Sequence, residues 1–179
     1  MSAVSPNPAS ITFTAYPADE VDQLEAWLAA AHVKRWWKPH WTAPVIEAFR
    51  AGTPVPDWLR PWRIDLDGQP IGYAHDYDVM QDGDVWLAVD GVGPGTRGID
   101  LLIGEADVVN KKIGREVIRA LTAQLFAEAG CDRIVADPHP DHWGAIIAFQ
   151  KAGYRERGRH RFPSGQVMVM TAAKSVWKA

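Results

Sequence analysis

The clearest chemical signal in the sequence is a predicted helix start that carries cationic side chains. An apolar segment ends near Gly104, a short loop follows, and helical spacing begins around residues 110–114, Asn-Lys-Lys-Ile-Gly. The first turn of a helix has unpaired backbone N–H groups and the positive end of the helix dipole, which together bind phosphate. Lys111, Lys112 and Arg115 add positive charge there. The segment predicts a pyrophosphate site, and the alternative is a surface helix with basic residues in its first turn.

Tryptophan is concentrated in one half of the chain. Seven of the nine tryptophans lie between Trp27 and Trp86. Large flat side chains can line a cleft that binds a ligand with extended faces, and they can equally fill a hydrophobic core. The sequence alone leaves both interpretations open for this cluster.

Composition excludes several classes of partner. The 179 residues include 19 Lys and Arg against 22 Asp and Glu, a formal net charge of −3, so no positive field attracts nucleic acid or anionic lipid. Cys131 is the only cysteine, and no Cys/His spacing typical of zinc sites occurs. Residues 1–10 lack the signal-peptide pattern, and no apolar run approaches the roughly 20 residues that span a bilayer. We expect a cytoplasmic protein without metal, membrane or nucleic-acid partners.

The length suits one domain, residues 11–179, after a flexible N-terminus, residues 1–10. Asp67-Gly68 is a hairpin signal between two apolar runs. Periodicity predicts the other elements in this order: a strand over 11–15, helices over 21–31 and 44–51, strands over 62–66, 70–79, 84–89 and 97–103, a helix from 112 that Gly130 ends, a strand over 131–136, a helix over 141–152, and strands over 154–159 and 167–172. This order predicts an α/β (α+β) fold with a mixed sheet covered by helices.

Short motifs follow one another along nearly the whole chain. They are His32-x-x-x-Trp36-Trp37, Gly72-Tyr73-Ala74-x-x-Tyr77, Arg97-Gly98-Ile99-Asp100, Ile113-Gly114, Asp137-Pro138-His139-Pro140 and Lys151-Ala152-Gly153-Tyr154. Their order and spacing resemble the GNAT acetyltransferase superfamily over about residues 11–171. The likeness is greatest to the aminoglycoside 6′-N-acetyltransferase branch and looser to siderophore-type N-acyltransferases.

The resemblance implies a GNAT fold, a splayed and mostly antiparallel sheet flanked by helices. Acetyl-coenzyme A would lie in the split between two strands, with no metal involved, and a free amine would attack the thioester directly, so that proximity supplies much of the catalysis. The implied donor-binding residues are Leu101, Leu102 and Ile103 for the pantetheine arm, Asn110, Lys111, Lys112, Ile113, Gly114 and Arg115 for the pyrophosphate, and His142 and Phe149 on a later helix.

The resemblance also implies an acidic acceptor site. An ammonium ion has no lone pair, so the enzyme must bind the cation and remove a proton before attack. Asp100 matches the position of the proton acceptor, acting directly or through water, and Asp84 that of an ammonium anchor. The alternatives are an ion pair with Arg97 or a local backbone cap for Asp100, and a turn residue after Gly83 for Asp84.

Further acceptor-side positions are matched by aromatic and acidic residues. They are Trp37, Tyr73, His75, Tyr77, Trp86 and Asp137, beside Asp84 and Asp100. An aminoglycoside is a polycation with sugar faces, which carboxylates and aromatic rings suit. The alternatives are core packing for Trp37 and Tyr77, an exposed strand position for His75, and a loop start for Asp137.

Five positions depart from the family pattern. Lys112 stands where a glycine would let the backbone approach phosphate closely. Phe149 replaces a tyrosine that protonates the coenzyme A thiolate, and solvent can take over that task because a cysteine-like thiol has a pKa near about 8.5. His142 and Gly144 replace an asparagine and an arginine on the later helix, and Ser164 replaces an aspartate in the last hairpin.

The sequence therefore predicts an N-acetyltransferase that moves acetyl from acetyl-coenzyme A to a primary amine, the 6′-amine of an aminoglycoside. We expect a monomer or homodimer that acts on a small-molecule amine. Two alternatives remain: a siderophore-type or other small-amine N-acyltransferase, and a non-catalytic relative in which coenzyme A binding is weakened.

Overall fold

The computed structural model describes residues 10–109 and 112–178, which form one seven-stranded sheet. The strands are β1 (Ile11–Ala15), β2 (Leu59–Leu66), β3 (Gln69–Asp78), β4 (Arg97–Ile103), β5 (Arg133–Ala136), β6 (Arg155–Phe162) and β7 (Gly165–Ala173). Their spatial order is β1-β2-β3-β4-β5-β7-β6, and β4 and β5 are the parallel pair. The predicted mixed, mostly antiparallel sheet is confirmed. Residues 1–9 of the predicted flexible N-terminus (residues 1–10), and Asn110 and Lys111, lie outside the described residues.

Helices cover both faces of the sheet. They are α1 (Val21–Ala29), α2 (Ala31–Lys34), α3 (Pro39–Ala51), α4 (Ile113–Ala127) and α5 (Trp143–Lys151). Val117, Leu121 and Leu125 repeat every four residues along α4 and are fully buried against one face. Leu24 of α1 and Val45 of α3 are buried against the other face. Each such side chain contributes about 1.5–3 kcal/mol when it leaves water. No helix of the described ranges is both long and apolar enough to cross a membrane.

The β2–β3 hairpin turns at the dipeptide that the sequence indicates. Asp67 and Gly68 both have left-handed backbones, with φ of 51° and 79°. Two successive left-handed residues are typical of the tight turn that matches strand twist, and aspartate and glycine tolerate this conformation best. The predicted hairpin is confirmed.

The strand predicted over residues 84–89 is wrong. Val79–Ala88 is a 3-10 helical segment, interrupted at Gly83, whose φ is 76°. The segment starts where the carboxylate of Asp78 accepts a hydrogen bond from the N–H of Met80, at 3.0 Å. Both edges of β3 are already paired, with β2 and with β4, so an additional strand has no place beside it.

Strands β4 and β5 diverge after a short contact. They pair only at Arg97 with Ile134 and Gly98 with Val135, whereas β4 stays paired with β3 along its whole length. Near the end at which β4 and β5 pair, Asp76 anchors Arg97. Asp76 is fully buried and accepts hydrogen bonds from Arg97 Nε at 2.8 Å and from Arg60 Nη2 at 2.7 Å. Beyond this point the β5-facing edge of β4 is open, as the resemblance implied.

Candidate active site

A cleft of about 310 Å³ reaches the open end of this split. Its wall includes Asp100 of β4 and Asp137, which directly follows β5, so it touches both of the strands that diverge. Residues of α3, the 3-10 segment and the β6–β7 turn complete it, among them His40, Trp41, Asp82 and Ser164. A larger groove of about 800 Å³ lies at the opposite ends of β4 and β5 and contains none of the predicted site residues.

Three carboxylates share the cleft. Burial raises the pKa of Asp137 well above its ordinary value, and the negative charges of Asp100 and Asp82 add to the effect. Partial burial also raises the pKa of Asp82, opposed by the hydrogen bond that it accepts from Trp86 Nε1 at 2.9 Å. Carboxylates that repel one another in a partly dry site are stabilised by an entering cation. The cleft is therefore built to bind a positively charged group.

Asp82, which we did not predict, lines the cleft, and the predicted Asp84 does not. The side chains of Asp82 and Asp84 are both exposed, so the difference between them is their position relative to the cleft. Trp86 follows Asp82 by four residues, is fully buried, and holds the carboxylate through its indole N–H. Helical spacing could not have identified the pair, because the backbone between Asp82 and Trp86 is interrupted at Gly83.

The predicted β3 residues form a layer behind the cleft. Tyr73, His75 and Tyr77 alternate along β3 and face the same side of the sheet. His75 and Tyr77 line the cleft, while Tyr73 is fully buried behind His75 and its hydroxyl lies 3.0 Å from His75 Nδ1. The ring of Tyr77 covers Gly98, where an added Cβ would come within 2.3 Å of it, so the glycine is required by packing.

Asp100 is the acidic residue of this layer. It lies opposite His75 in the β3–β4 register, and its Oδ2 is 3.0 Å from His75 Nε2. Its side chain keeps 16% of its surface exposed toward the cleft.

Burial raises the pKa of Tyr77 well above its ordinary value, with Asp137, Asp100 and Asp82 adding to the effect, so the Tyr77 hydroxyl stays protonated.

The tryptophan cluster divides between the cleft and the core. Trp41 and Trp58 line the cleft, and neither was among the predicted site residues. Trp37 is half-buried and packs edge-on against the rings of Tyr73, His75 and Trp41. Trp86 is buried, so it supports the site through Asp82 without lining it. The two interpretations of the cluster therefore both apply, to different residues.

The predicted pantetheine edge of β4 faces the split. The N–H of Gly104 bonds to the carbonyl of Ile71 on the β3 side, at 2.8 Å. Alternation in an antiparallel ladder then directs the backbone polar groups of Leu101 and Ile103 toward β5, and those of Leu102 toward β3. His32 Nε2 lies 2.9 Å from the carbonyl oxygen of Ile103, so this carbonyl already has a partner.

The start of α4 combines an unusual backbone with open space. Lys112 precedes the helix with a left-handed φ of 61° and is exposed. A Cβ added at Gly114 would meet no atom within 4 Å, so the surface above the half-buried Ile113-Gly114 pair is open. The guanidinium of Arg115 pairs with Glu116 at 2.6 Å, which offsets its charge.

The two predicted residues of α5 differ in exposure. His142 caps the helix, since its Nδ1 accepts a hydrogen bond from the N–H of Ala145 at 3.0 Å, and burial lowers its pKa. The ring of Trp36 packs edge-on against His142 with centroids 4.4 Å apart. Phe149 is buried in the core, edge-on to Tyr154, so its contact with a donor remains a prediction. No cluster of metal-ligating side chains occurs among the described residues.

Two known proteins resemble this chain over most of its length, and a third resembles about half of it. The aminoglycoside N(6′)-acetyltransferase type 1 of Klebsiella pneumoniae is 29% identical over 173 residues, covering 94% of this chain and 86% of that protein. A kanamycin resistance protein of Rhizobium radiobacter is 32% identical over 85 residues, covering 48% of this chain and 79% of that protein. The crystal structure of aminoglycoside acetyltransferase AAC(6′)-Ib with coenzyme A and kanamycin has a TM-score of 0.80 at 29% identity, covering 93% of this chain and 96% of that one.

The family assignment rests on a separate comparison. The family model described as an acetyltransferase (GNAT) domain matches residues 16–162. That range runs from the residue after β1 to the end of β6 and includes most of the cleft lining, the split and the start of α4. The chain belongs to the family of acetyltransferase (GNAT) domains.

Proposed function

We propose that this protein transfers the acetyl group of acetyl-coenzyme A to the 6′-amine of an aminoglycoside. One observation carries the proposal: Asp82, Asp100 and Asp137 converge on a cleft that opens onto the split between β4 and β5. An aminoglycoside carries several ammonium groups, and its sugar faces fit against flat rings such as those of Trp41 and Trp58. The similarity to an acetyltransferase solved with coenzyme A and kanamycin supports the same acceptor.

Each cleft carboxylate has a part in the proposed reaction. Asp82 and Asp137 bind ammonium groups of the acceptor, and Asp100 removes a proton from the reacting one. The freed amine nitrogen attacks the thioester carbon, and the carbon–sulfur bond breaks. Asp100 keeps the first ammonium proton, and the second proton, which the new amide nitrogen loses, passes to solvent. The two reactants are held within reach of each other, which is the main source of acceleration in direct transfer.

The donor side relies chiefly on backbone groups. The free edge of β4 at Leu101 pairs with the pantetheine arm, and the N–H groups at the start of α4 bind the pyrophosphate. Lys112 contributes charge. Because Phe149 has no proton to give, the departing thiolate takes its proton from solvent.

A thiol-release assay tests the proposal. Purified protein with acetyl-coenzyme A should release free thiol when kanamycin or tobramycin is added. An aminoglycoside with a hydroxyl in place of the 6′-amine is the matched control and should release none. Thiol release at background level with several 6′-amino compounds would contradict the proposal, and faster turnover of an N-hydroxylysine would indicate a siderophore-type acceptor.

A binding measurement separates an enzyme from a non-catalytic relative. Titration calorimetry should give a coenzyme A dissociation constant at or below the micromolar range, about −8 kcal/mol. Absence of binding at millimolar coenzyme A would contradict the donor assignment.

We also propose that residues 11–179 act as one domain, in the cytoplasm, as a monomer or homodimer. Acetyl-coenzyme A is a cytoplasmic metabolite, and the cleft lies within a single chain, so no second copy is needed to complete it. Light scattering coupled to size exclusion would measure the mass, and a larger assembly would contradict the proposal.

A further inference from the structure

Behind Asp100 lies a pair of buried polar side chains to which the proposed transfer assigns no role. His75 is 2% exposed and Tyr73 is fully buried. His75 Nε2 lies 3.0 Å from Asp100 Oδ2, and His75 Nδ1 lies 3.0 Å from the hydroxyl oxygen of Tyr73. A histidine whose two nitrogens both have partners has its tautomer set by them.

One arrangement of hydrogens satisfies all three groups when Asp100 is ionised. A carboxylate can only accept, so His75 Nε2 must carry the hydrogen. The neutral ring then has its lone pair on Nδ1, and the hydroxyl of Tyr73 donates to it. The reverse tautomer would set the Nε2 lone pair against a carboxylate oxygen, which is repulsive.

Packing of neighbouring rings prevents the imidazole of His75 from rotating away from Asp100. The rings of Trp37, Tyr73 and Tyr77 stand edge-on around it, with centroids 5.9, 5.5 and 5.9 Å from its own. Asp100 depends on this ring, because within residues 10–109 and 112–178 His75 is the one side chain that hydrogen bonds to it. The orientation of the carboxylate therefore comes from His75.

We infer that His75 and Tyr73 are positioning residues for the carboxylate of Asp100. Tyr73 sets the tautomer of His75, and His75 Nε2–H holds Oδ2, which leaves Oδ1 of Asp100 for the incoming amine. This inference rests on the proposed role of Asp100 as proton acceptor. It gives His75 a positioning role in the cleft wall, in addition to the contact with the acceptor that the family resemblance suggested.

The tautomer can be measured without any substrate. In the full chain labelled with ¹⁵N-histidine, NMR at pH 7 should show one ring with a slowly exchanging Nε2–H and an unprotonated Nδ1. These signals should be absent in His75→Gln, and the ring hydrogen should exchange faster in Asp100→Ala. A His75 ring protonated on Nδ1, or one that alternates between tautomers, would overturn the inference whichever acceptor the enzyme uses.

Kinetics test the consequence for transfer. His75→Leu should lower kcat by about 10- to 100-fold, the loss expected when a reacting group is misplaced by about 1 Å, with acceptor KM changed less than about threefold. His75→Gln, whose amide nitrogen can reach the position of Nε2, should keep kcat within about threefold of the parent. Tyr73→Phe should fall between them.

A double variant separates positioning from general damage. In the Asp100→Asn background, His75→Leu should cause no further loss of kcat, because residues that act through one group are not additive. Equal kcat for the Leu and Gln variants, or additive losses, would overturn the inference. Absence of transfer by the parent chain would instead contradict the proposed function, and the NMR result would still decide the inference.

Discussion

The two sides of the split between β4 and β5 are built on different principles. The proposed acceptor side is made of side chains that support one another: Tyr73 holds His75, His75 holds Asp100, and Trp86 holds Asp82. The proposed donor side is made mostly of backbone, the open edge of β4 and the start of α4. Chemistry that depends on side chains is sensitive to single substitutions, whereas every residue except proline supplies a backbone N–H group.

The departures from the family pattern fall mostly on the proposed donor side. Lys112, Phe149, His142 and Gly144 stand there at positions where the family resemblance implies other residues. On the acceptor side the one departure is Ser164, and Asp82 brings a carboxylate into the same cleft. We therefore expect large functional effects from acceptor-side variants and small ones from donor-side variants.

The largest effect should come from Asp100→Asn. The amide has nearly the shape of the carboxylate but cannot accept the ammonium proton, so kcat should fall by about two to four orders of magnitude. Thiol release with a 6′-amino aminoglycoside measures the loss. The melting temperature should stay close to that of the parent, and near-normal turnover would mean that Asp100 has only a structural role.

Local signals explain which features could be predicted from the sequence. The Asp67-Gly68 turn and the Arg97–Ile103 strand depend on neighbouring residues, and both were predicted. The 3-10 segment Val79–Ala88 was missed because its conformation depends on distant pairing: both edges of β3 are occupied.

In the candidate site, too, distant contacts decide what local sequence cannot predict. A family motif indicates which residue types are present, but the left-handed turn at Gly83 decides which of two aspartates faces the cleft. The motif likewise identifies His75, whereas its burial and both of its hydrogen bonds depend on residues packed from β3, β4 and the loop after α2.

Asp82→Asn and Asp84→Asn form the second test. A hydrogen bond to a charged group contributes about 1.5–3 kcal/mol, so loss of the Asp82 charge should raise acceptor KM about tenfold or more. Asp84 is exposed outside the cleft, and its variant should match the parent. The reverse ranking would return the ammonium site to Asp84 and remove the Asp82–Trp86 pair from the site.

Asp137→Asn should make the folded protein more stable at neutral pH and weaken its binding of the acceptor. The pKa of Asp137 is raised in the folded protein, so its ionisation opposes folding at neutral pH. The variant cannot ionise, and it should melt at a higher temperature than the parent at pH 7 while binding the acceptor more weakly. The stability gain should disappear below the ordinary aspartate pKa of 3.8. Scanning calorimetry at several pH values measures it, and a variant less stable at pH 7 would contradict the burial argument.

Lys112→Gly tests the backbone at the donor side. A left-handed conformation costs a residue with a Cβ about 1–2 kcal/mol, and glycine avoids that cost. The variant should therefore be more stable, while its affinity for coenzyme A changes less than about threefold because the helix N–H groups remain. Lys112→Ala keeps the Cβ and removes the charge, so it should match the parent in stability. A large loss of affinity in both variants would show that the donor site depends on the lysine side chain.

Gly114→Ala and Gly144→Ala give the finest comparison, because each glycine is the second residue of its helix, α4 and α5. A Cβ at either position would meet no atom within 4 Å, so both variants should stabilise the free protein, by up to about 0.5–1 kcal/mol. If the start of α4 binds the pyrophosphate, the new methyl group at 114 occupies the space that the phosphate needs. Gly114→Ala should then weaken coenzyme A binding about threefold to tenfold, a change of ~0.7–1.4 kcal/mol. Gly144→Ala should leave it nearly unchanged, and equal effects in calorimetric titrations would place the donor anion elsewhere than over α4.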